Sequence, residues 1–466
     1  MALIKSISGI RGTIGGRSGN GLTPLDVVKF TAAFGQWLKQ RSTERRTVVI
    51  GRDGRLSGEM ISKLVAATLQ GLGLDVIDLG LSTTPTVEMA VPGEGAAGGI
   101  ILTASHNPIQ WNALKLVNEA GEFITAQDGA DVLEIAESES VEFAEVRKLG
   151  TYRTDDTWLQ KHIDQILALP LVNRDAIAAR NFRIVVDAVN STGGLAVPML
   201  LEALGIEKIT KLHCEPTGNF AHNPEPLPEN LRDIIKEMGK GKADLGIVVD
   251  PDVDRLALIC EDGSPFGEEY TLVAVADYVL KNSSKGGNTV SNMSSTIALR
   301  DITQRYGGQH FASAVGEVNV VEMMKEKGAI IGGEGNGGII YPELHQGRDA
   351  LVGIALFLSH LATSEKLASI LRRTYPNYYI SKNKIELTPD IDVDAVLNQI
   401  QTKYARNPIS TIDGVKIEFD KEWVHLRKSN TEPIIRIYSE SDTLATADYL
   451  AGKIISDIRE VIAEKR

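Results

Sequence analysis

Apolar residues follow two alternating patterns through the first two-thirds of the chain. Short continuous apolar runs, each followed by glycine or polar residues, predict buried strands at 47–50, 75–79, 98–102 and 245–249. Between these runs apolar residues recur at helical spacing, and Thr23-Pro24 is typical of a helix start. Ser57 is predicted to cap the next helix. Strands that alternate with helices in this way indicate a mainly parallel sheet covered by helices.

The strand–loop–helix cycle begins again near Arg183 and a third time near Thr289. From about Tyr375 the pattern changes to strand-like segments between two helices, which is typical of an antiparallel α+β unit. We therefore predict an α/β protein with four domains around a central cleft. Three related α/β domains have mainly parallel mixed sheets, and the C-terminal domain is a smaller α+β unit. The predicted bounds are 1–150, 151–256, 257–373 and 374–466.

Composition narrows the class of protein. The chain has 466 residues, is 43% hydrophobic and 24% charged, and carries a formal net charge of −12. An acidic chain without a block of Lys and Arg disfavours a nucleic-acid partner. Cys214 and Cys260 are the only cysteines, so no disulfide framework is expected. The N-terminal segment lacks a signal-peptide core and no uncharged apolar run could span a bilayer, so we expect a cytoplasmic protein without a membrane partner.

The string Thr-Ala-Ser-His-Asn-Pro at 103–108 directly follows one predicted strand. A serine at the end of such a strand faces the crevice in which α/β sheets bind ligands, so Ser105 is a candidate nucleophile. His106 is its neighbour, and Lys115 lies ten residues further on. For these residues taken alone, an ordinary turn built from Ser and Asn is the alternative interpretation.

A second polar group, Asp250, Asp252 and Asp254, follows the predicted strand at 245–249 and is completed by Arg255. Carboxylates spaced two residues apart in a loop can converge on one hard cation such as Mg²⁺ or Ca²⁺. An EF-hand is excluded because Arg255 stands where that loop needs glycine, and because a strand-like segment follows at once.

The same spacing recurs at Asp390, Asp392 and Asp394, immediately before a predicted helix at 393–404. Acidic residues in the first turn of a helix are favoured by the helix dipole. We interpret this second triplet as a helix start rather than a metal site.

Two further loops carry polar groups. Gly-Gly-Glu-Gly-Asn-Gly-Gly at 332–338 precedes a strand rather than a helix, which disfavours a nucleotide-binding loop. Its glycines would let the backbone approach a ligand closely, with Glu334 and Asn336 facing sugar hydroxyls; a flexible turn is the alternative. The run at 427–433, Arg-Lys-Ser-Asn-Thr-Glu-Pro, joins two predicted strands, and its donors suit a phosphate unless it is an ordinary hairpin.

These four motifs, one in each predicted domain and spanning nearly the whole chain, resemble those of the α-D-phosphohexomutases. That family moves phosphate between O1 and O6 of hexoses. The string around Ser105 is similar to the family's active-serine motif, and 250–255 to its metal loop, Asp-x-Asp-x-Asp-Arg. The loop at 332–338 departs from the form Gly-Glu-x-Ser-Gly-His of many bacterial members, because Asn336 replaces Ser and Gly338 replaces His.

The resemblance implies a role for each candidate residue. Ser105 would carry a phosphate and complete a Mg²⁺ site with the three aspartates at 250, 252 and 254. Lys115 would act as general base with His106 assisting, and Arg11 and Arg255 would add positive charge. Glu334 and Asn336 would bind the sugar. The phosphate that does not react would be held by Arg427, Ser429, Asn430, Thr431 and Arg436.

Arg52 is a weaker candidate, because it could simply pair with Asp53. A hexose 1,6-bisphosphate is the expected activator, a sugar phosphate the expected partner, and a homodimer is possible on this resemblance. The form Glu-Gly-Asn-Gly-Gly favours glucosamine 6-phosphate as substrate, with a phosphomannomutase/phosphoglucomutase activity as the alternative. A phosphatase with an aspartate nucleophile, or a non-catalytic sugar-phosphate binder, remains open but would not need all four motifs.

Overall fold

The computed structural model describes residues 2–6, 9–42, 44–138, 140–283, 286–388, 391–428 and 434–463. These residues form four sheets with their helices, one after another along the chain. The predicted fold class, three related α/β domains followed by a smaller α+β domain, is confirmed.

The first domain is built on a seven-stranded mixed sheet. Its strands are β1 (Leu3–Ser6), β2 (Gly9–Thr13), β3 (Thr47–Arg52), β4 (Asp75–Leu81), β5 (Gly98–Leu102), β6 (Trp111–Val117) and β7 (Tyr152–Thr154). Its helices are α1 (Pro24–Arg41), α2 (Gly58–Gly71), α3 (Thr84–Gly93) and α4 (Ala126–Ser138), and a short 3-10 helix lies at Val146–Lys148. The strand order is β1-β2-β6-β5-β3-β4-β7. Strands β5, β3, β4 and β7 are parallel, whereas β6 pairs with β5 antiparallel and so returns Lys115 beside Ile101.

The second and third domains share one sheet plan, in which three parallel strands carry an antiparallel strand at one edge. The second contains β8 (Arg183–Asp187), β9 (Lys208–Leu212), β10 (Leu245–Val249), β11 (Leu256–Cys260), α5 (Trp158–Ala168), α6 (Arg174–Arg180), α7 (Gly193–Ala203) and α8 (Arg232–Met238), with a 3-10 helix at Pro228–Asn230. The third contains β12 (Asn288–Asn292), β13 (His310–Ser313), β14 (Ala329–Glu334), β15 (Gly338–Ile340), α9 (Glu268–Asn282), α10 (Ala298–Arg305), α11 (Glu317–Lys327), α12 (Ala350–Ser364) and α13 (Ala368–Arg372). Their strand orders are β11-β10-β8-β9 and β13-β12-β14-β15.

The fourth domain is an antiparallel five-stranded sheet covered by two helices. Its elements are β16 (Tyr379–Glu386), α14 (Val393–Lys403), β17 (Ile409–Ser410), β18 (Val415–Glu418), β19 (Trp423–Lys428), β20 (Ile434–Ser441) and α15 (Leu444–Ala463). It has its own apolar core between the sheet and α14 and α15.

One continuous apolar core joins the second and third domains. Helix α12 lies within it, because its apolar side chains surround the helix on all sides and every residue from Ala350 to Ala362 is buried. These two domains are therefore held together by hydrophobic burial as well as by polar contacts. Among the described residues no helix combines the length and the apolarity that a membrane span requires.

Two predicted helix starts have different outcomes. Thr23 caps α1 as predicted, and its hydroxyl and the Asp26 carboxylate form a reciprocal capping box. Ser57 precedes α2, but its side chain does not cap the helix, so that prediction is wrong. Its backbone is already helical, and its hydroxyl instead accepts a 2.8 Å hydrogen bond from Nδ2 of Asn112.

Candidate active site

Ser105 lies in the turn that follows the carboxyl end of β5, and its side chain is buried. Its backbone is in the left-handed region (φ 47°), which is uncommon for a residue other than glycine. The hydroxyl of Thr103 accepts a 2.9 Å hydrogen bond from the Ser105 amide. The Ser105 hydroxyl donates to Oδ2 of Asp250 at 2.8 Å and lies 3.3 Å from Nδ1 of His106. The turn therefore aims the serine at the aspartate loop of the second domain.

Arg55, which the sequence analysis missed, holds this turn in place. Its guanidinium is fully buried and donates to the backbone carbonyls of Ser105, Asn107, Pro108 and Trp111. Its Nε also donates to the Asp53 carboxylate at 2.9 Å. Arginine suits this role because its guanidinium carries five N–H donors in a rigid, planar arrangement and can bond several carbonyls at once.

Arg52 does not form the ion pair with Asp53 that the sequence left open as its simpler role; Arg55 forms it instead. Among the described residues Arg52 reaches Asp53 only at its backbone carbonyl, at 3.3 Å, whereas Arg55 pairs with the carboxylate. Arg52 and Arg55 are three residues apart in Gly-Arg-Asp-Gly-Arg, so either could have reached the carboxylate on spacing alone. The polar, glycine-containing string Gly-Arg-Asp-Gly-Arg was the only indication of this arginine's role in the sequence.

The three aspartates that follow β10 are all buried, and the Oδ2 atom of each contacts a side chain. The Oδ1 atom of Asp250 also accepts from the amides of Asp254 and Arg255, each at 3.2 Å. Asp250 Oδ2 accepts from Ser105, as described above. Asp252 Oδ2 accepts from Thr84 at 2.6 Å and from Lys115 at 2.7 Å. Asp254 Oδ2 accepts from Arg348 at 2.7 Å. The Oδ1 atoms of Asp252 and Asp254 are buried without a hydrogen-bond partner among the described residues.

These unpartnered oxygens fit a metal ion. One carboxylate oxygen from each of Asp250, Asp252 and Asp254 lies within 4.8 Å of the others. An all-oxygen donor set is what Mg²⁺ prefers, and an ion would also offset the crowded charge. Burial and the charges of the other two aspartates raise the pKa of Asp250 well above its ordinary value, which is the physical sign of that crowding. The site therefore can hold a divalent cation.

Lys115 is brought to the aspartates by the register of β6 on β5. Its ammonium lies 2.7 Å from Asp252 Oδ2 and 3.5 Å from Asp254 Oδ2. Burial acts against its charge, but the two carboxylates outweigh burial and hold the pKa of Lys115 above its ordinary value. His106 has the opposite balance: burial, reinforced by the charges of Arg255 and Arg11, lowers its pKa well below the ordinary value. The histidine is therefore neutral and the lysine charged.

Arg11 and Arg255 add two cations near the serine turn. Nη1 of Arg11 donates to the Asn107 side chain at 3.0 Å, and burial followed by the charge of Arg255 lowers the pKa of Arg11. Arg255 lies 3.6 Å from Glu225 and its Nε is buried without a hydrogen-bond partner among the described residues. The two guanidinium groups can therefore receive an anion.

Glu334 ends β14 and is buried in a network that the sequence did not reveal. Its Oε1 accepts from Asn292 at 2.8 Å and from the Gly316 amide at 3.2 Å. Its Oε2 accepts from Arg348 at 3.0 Å. The same guanidinium donates to Glu317 at 2.9 Å and to Asp254. Arg348 thus ties the aspartate loop of the second domain to the glycine-rich loop of the third.

The glycines of that loop serve contacts within the protein. A Cβ at Gly333 would stand 2.0 Å from the Gly338 carbonyl, and one at Gly337 would stand 2.3 Å from the Leu256 carbonyl. Both residues have a positive φ. These two glycines therefore allow close approach of the loop to β15 and β11. Asn336 lies at the loop tip, where its Oδ1 accepts from the Gly338 amide at 3.1 Å.

The arginine loop of the fourth domain lies between β19 and β20. Arg427 and Arg436 are directly opposite each other across these strands. Ser429, Asn430 and Thr431, three of its predicted phosphate ligands, lie outside the described residues. Arg427 Nε is 2.9 Å from Oδ2 of Asp413, and that carboxylate also accepts from the Val315 amide at 3.0 Å.

The described contacts join Ser105, Lys115 and the aspartates directly, and reach Glu334 through Arg348. They bring Arg427 into this network through Asp413, by two routes. The loop at 315–317 contacts Asp413, Glu334 and Arg348 in succession. His425 and Ser294 also link the Asp413 carbonyl to Asn292, which donates to Glu334. Arg436 stays exposed on β20.

The second aspartate triplet behaves as a helix start. Asp392 caps α14, and its carboxylate accepts from the Ala395 amide at 3.1 Å. Asp394 lies in the first turn and pairs with Lys428. Asp390 lies outside the described residues. The interpretation is confirmed for the two residues described.

Comparison with known proteins places this scaffold and site in a family. Four models of phosphoglucomutase/phosphomannomutase match in succession: the alpha/beta/alpha domains I, II and III at 3–142, 160–263 and 267–378, and the C-terminal domain at 384–456. The chain therefore belongs to the phosphoglucomutase/phosphomannomutase family, and it is an isomerase of the phosphohexomutase class.

Individual relatives extend over almost the whole chain. A phosphoglucomutase/phosphomannomutase of Thermococcus kodakarensis is 37% identical over 92% of this chain and 94% of its own length. A phosphoglucosamine/phosphogalactosamine mutase of Sulfurisphaera tokodaii is 29% identical, with both chains fully covered. The crystal structure of a phosphoglucomutase/phosphomannomutase family protein from Burkholderia thailandensis superposes with a TM-score of 0.85 at 26% identity, covering 98% of this chain and 97% of that one.

Proposed function

We propose that this mutase interconverts a hexose 6-phosphate and a hexose 1-phosphate through a phosphate carried on Ser105 and a sugar bisphosphate intermediate. The observation that carries the proposal is the 2.8 Å contact of the Ser105 hydroxyl with Asp250, beside two unpartnered carboxylate oxygens. A phosphoryl group on this serine would lie between an ion site and the cations of Arg11 and Arg255. Concentrated opposite charge is the main contribution that a protein makes to phosphoryl transfer.

The proposed reaction consists of two phosphoryl transfers, the first from Ser105 to the sugar and the second from the sugar back to Ser105. In the first, the bond between phosphorus and the Ser105 oxygen breaks and a bond from phosphorus to the free sugar hydroxyl forms, which gives a bisphosphate. The hydroxyl proton goes to a base. In the second, the other phosphate of the turned sugar returns to Ser105, so that the enzyme regains its phosphate and the isomer is released.

Lys115 is the proposed base for the sugar hydroxyl, with His106 assisting. His106 is already neutral and lies 3.3 Å from the Ser105 oxygen. Lys115 must first give up the proton that Asp252 and Asp254 stabilise. Asp250, Asp252 and Asp254 would hold Mg²⁺, which when bound supplies charge stabilisation to the phosphoryl oxygens.

The remaining groups are proposed to bind the substrate. Glu334 and Asn336 would accept from and donate to sugar hydroxyls, and Arg427 with Arg436 and the loop between them would hold the phosphate that does not react. Glucosamine 6-phosphate is our proposed substrate. The loop form Glu-Gly-Asn-Gly-Gly and the similarity to a phosphoglucosamine/phosphogalactosamine mutase support it. The similarity to a phosphoglucomutase/phosphomannomutase supports glucose and mannose phosphates as the alternative. A cytoplasmic location and a homodimer remain part of the proposal.

The test combines kinetics with mass measurement. Initial rates on glucosamine, glucose and mannose 6-phosphates, each with Mg²⁺ and a catalytic amount of the matching 1,6-bisphosphate, should be highest for glucosamine 6-phosphate. Intact mass after incubation with the bisphosphate should show one added phosphate on the wild type and none on Ser105→Ala, which should also lose activity. Full activity of Ser105→Ala would exclude the phosphoserine, and a preference for glucose or mannose phosphate would exclude only the substrate proposed.

A further inference from the structure

A second group of metal-ligating side chains lies where the first three domains meet. His162 comes from α5 of the second domain, and His345 and Asp349 come from the segment before α12 of the third. Glu88, from α3 of the first domain, lies against them. His162, Asp349 and Glu88 are buried, and the His345 side chain is 12% exposed. We refer to these four residues as the junction cluster.

The distances within the junction cluster match those between ligands of one ion. Nε2 of His162 lies 2.9 Å from Oδ2 of Asp349, and Nε2 of His345 lies 3.4 Å from the same oxygen. One ligand atom from each of the three residues lies within 4.8 Å of the other two. Tetrahedral ligands about 2.0 to 2.2 Å from a zinc ion are about 3.3 to 3.6 Å apart. The 3.4 Å separation has that value and the 2.9 Å separation is slightly shorter, so small shifts would admit an ion.

The other ring nitrogen of each histidine faces a group of the kind that supports a metal-bound histidine, although only His162 already forms that hydrogen bond. Nδ1 of His162 lies 2.9 Å from the Thr86 hydroxyl, and Nδ1 of His345 lies 3.5 Å from Oε2 of Glu88. A hydroxyl or carboxylate that accepts from the far nitrogen fixes the ring so that the near nitrogen presents its lone pair to an ion. Both histidines are therefore oriented with Nε2 toward Asp349.

Polar atoms left without partners point to a ligand. Nε2 of His345 is buried and forms no hydrogen bond among the described residues, although Asp349 is only 3.4 Å away. Both carboxylate oxygens of the buried Glu88 also lack a hydrogen-bond partner there. A hydrogen-bonded His162–Asp349 pair explains neither observation, since buried polar groups are almost always satisfied. An ion bound by His345 Nε2 would satisfy that atom directly and would give Glu88 a donor in the Nδ1–H of the same ring.

We propose that the junction cluster binds one divalent transition-metal ion, with zinc as the best match, through Nε2 of His162, Nε2 of His345 and Oδ2 of Asp349. Two imidazole nitrogens and one carboxylate suit zinc, whereas the all-oxygen aspartate site suits Mg²⁺. A water would complete the tetrahedron. The other oxygen of Asp349 accepts from the Leu351 amide at 2.7 Å and caps α12, so an ion here would also fix the start of that helix. The ion would link the second and third domains directly and the first through Glu88, and its binding is independent of the proposed mutase activity.

The experiment compares zinc binding by the full-length protein and its variants in excess Mg²⁺. Metal-stripped proteins are incubated with Zn²⁺, passed over a desalting column and analysed for bound metal and protein. The wild type should retain one zinc more than His345→Ala, so this difference isolates the junction cluster even where zinc also enters the aspartate site. Zn²⁺ should raise the thermal unfolding midpoint of the wild type by more than that of His345→Ala.

His213→Ala is the matched control, because His213 belongs to another histidine–carboxylate pair, with Asp233. It should retain as much zinc as the wild type. Glu88→Gln preserves the side-chain shape and should weaken zinc binding by about ten- to a hundredfold, as loss of an outer carboxylate does elsewhere, and it serves if His345→Ala does not fold. Equal zinc content and affinity in the wild type and in either variant of the cluster would overturn the proposal.

Discussion

The Ser105 hydroxyl donates a 2.8 Å hydrogen bond to Asp250, and the two residues belong to different sheets. Each follows the carboxyl end of a buried strand, β5 or β10, and these ends meet where the first and second domains contact each other. The serine can therefore meet the aspartates only when the first and second domains are docked. Changes that disturb this docking should reduce catalysis without touching either residue.

Asp252→Asn tests which aspartate triplet binds the ion. The substitution keeps the side-chain shape but removes one charge from the cluster and weakens the contact with Lys115. We expect weaker Mg²⁺ binding by calorimetry and a loss of activity of about a hundredfold or more, since a catalytic metal is worth several kcal/mol. Circular dichroism should show an unchanged fold.

Asp392→Asn is the control for that change, because Asp392 caps α14 and asparagine is an equally good cap. Its activity and its Mg²⁺ affinity should be those of the wild type. The reverse pattern, an inactive Asp392→Asn and an active Asp252→Asn, would show that the metal site has been assigned to the wrong triplet.

Arg55→Lys tests whether the buried arginine positions the serine turn. Lysine keeps the charge beside Asp53 but cannot donate to several carbonyls at once. A displacement of about 1 Å can cost about a hundredfold in rate, so kcat should fall by that order while the KM for the sugar phosphate changes little. Arg52→Lys should leave both constants unchanged, because the Arg52 side chain forms only one hydrogen bond with the described residues, a 3.3 Å contact with a backbone carbonyl. Equal effects of the two variants would refute a specific role for Arg55.

Features that depend on short-range patterns could be predicted from the sequence. The buried strand at 245–249 is fully apolar and coincides with β10, and the capping box at Thr23 needs only neighbouring residues. The sequence also distinguished the two aspartate triplets by such patterns. A helical apolar pattern follows Asp392, whereas a strand pattern precedes Asp250.

Features that depend on three-dimensional packing could not be predicted. Arg348 contacts carboxylates 14, 31 and 94 residues away, and no local pattern distinguishes it from a surface arginine. Arg52 and Arg55 occupy equivalent positions in one short string, and only the path of the turn decides which reaches Asp53. Ser57 is a residue type that commonly caps helices, but its hydroxyl accepts a hydrogen bond from the Asn112 side chain instead of from the helix backbone.

Arg427→Ala tests whether this arginine binds the phosphate that does not react. A charge-assisted contact is worth about 1.5 to 3 kcal/mol, so kcat/KM on a sugar 1-phosphate should fall by about ten- to a hundredfold. Intact mass should show that Ser105 still accepts a phosphate from the bisphosphate. Arg459→Ala removes an exposed arginine from α15 of the same domain and should have no effect. An unchanged kcat/KM in Arg427→Ala would mean that this arginine does not hold the substrate.

The stability of the contact between the third and fourth domains should depend on pH through His425. Its Nε2 donates to the Asp413 carbonyl at 2.6 Å, and its Nδ1 accepts from the Ser294 hydroxyl at 3.0 Å, so the ring is neutral. Burial, with a smaller contribution from the charges of Lys416 and Arg427, lowers the pKa of His425 to about 4. Ordinary histidine titrates near 6.5 in an unfolded chain.

The sign of the effect follows from these two values. Between about pH 6.5 and pH 4 the unfolded chain binds a proton that the folded protein does not, so stability is full above this window and is lost as the pH falls through it. From pH 7 to pH 5 the protonation of His425 should lower the free energy of unfolding by about 2 kcal/mol.

His425→Gln cannot take up the proton. The free energy of the urea-unfolding transition that involves the fourth domain should therefore fall by about 2 kcal/mol less in this variant than in the wild type over the same interval. His213→Gln, in the second domain, should retain the wild-type dependence. If His425→Gln loses as much stability as the wild type between pH 7 and pH 5, then the ring at 425 is not the group that makes this interface sensitive to acid.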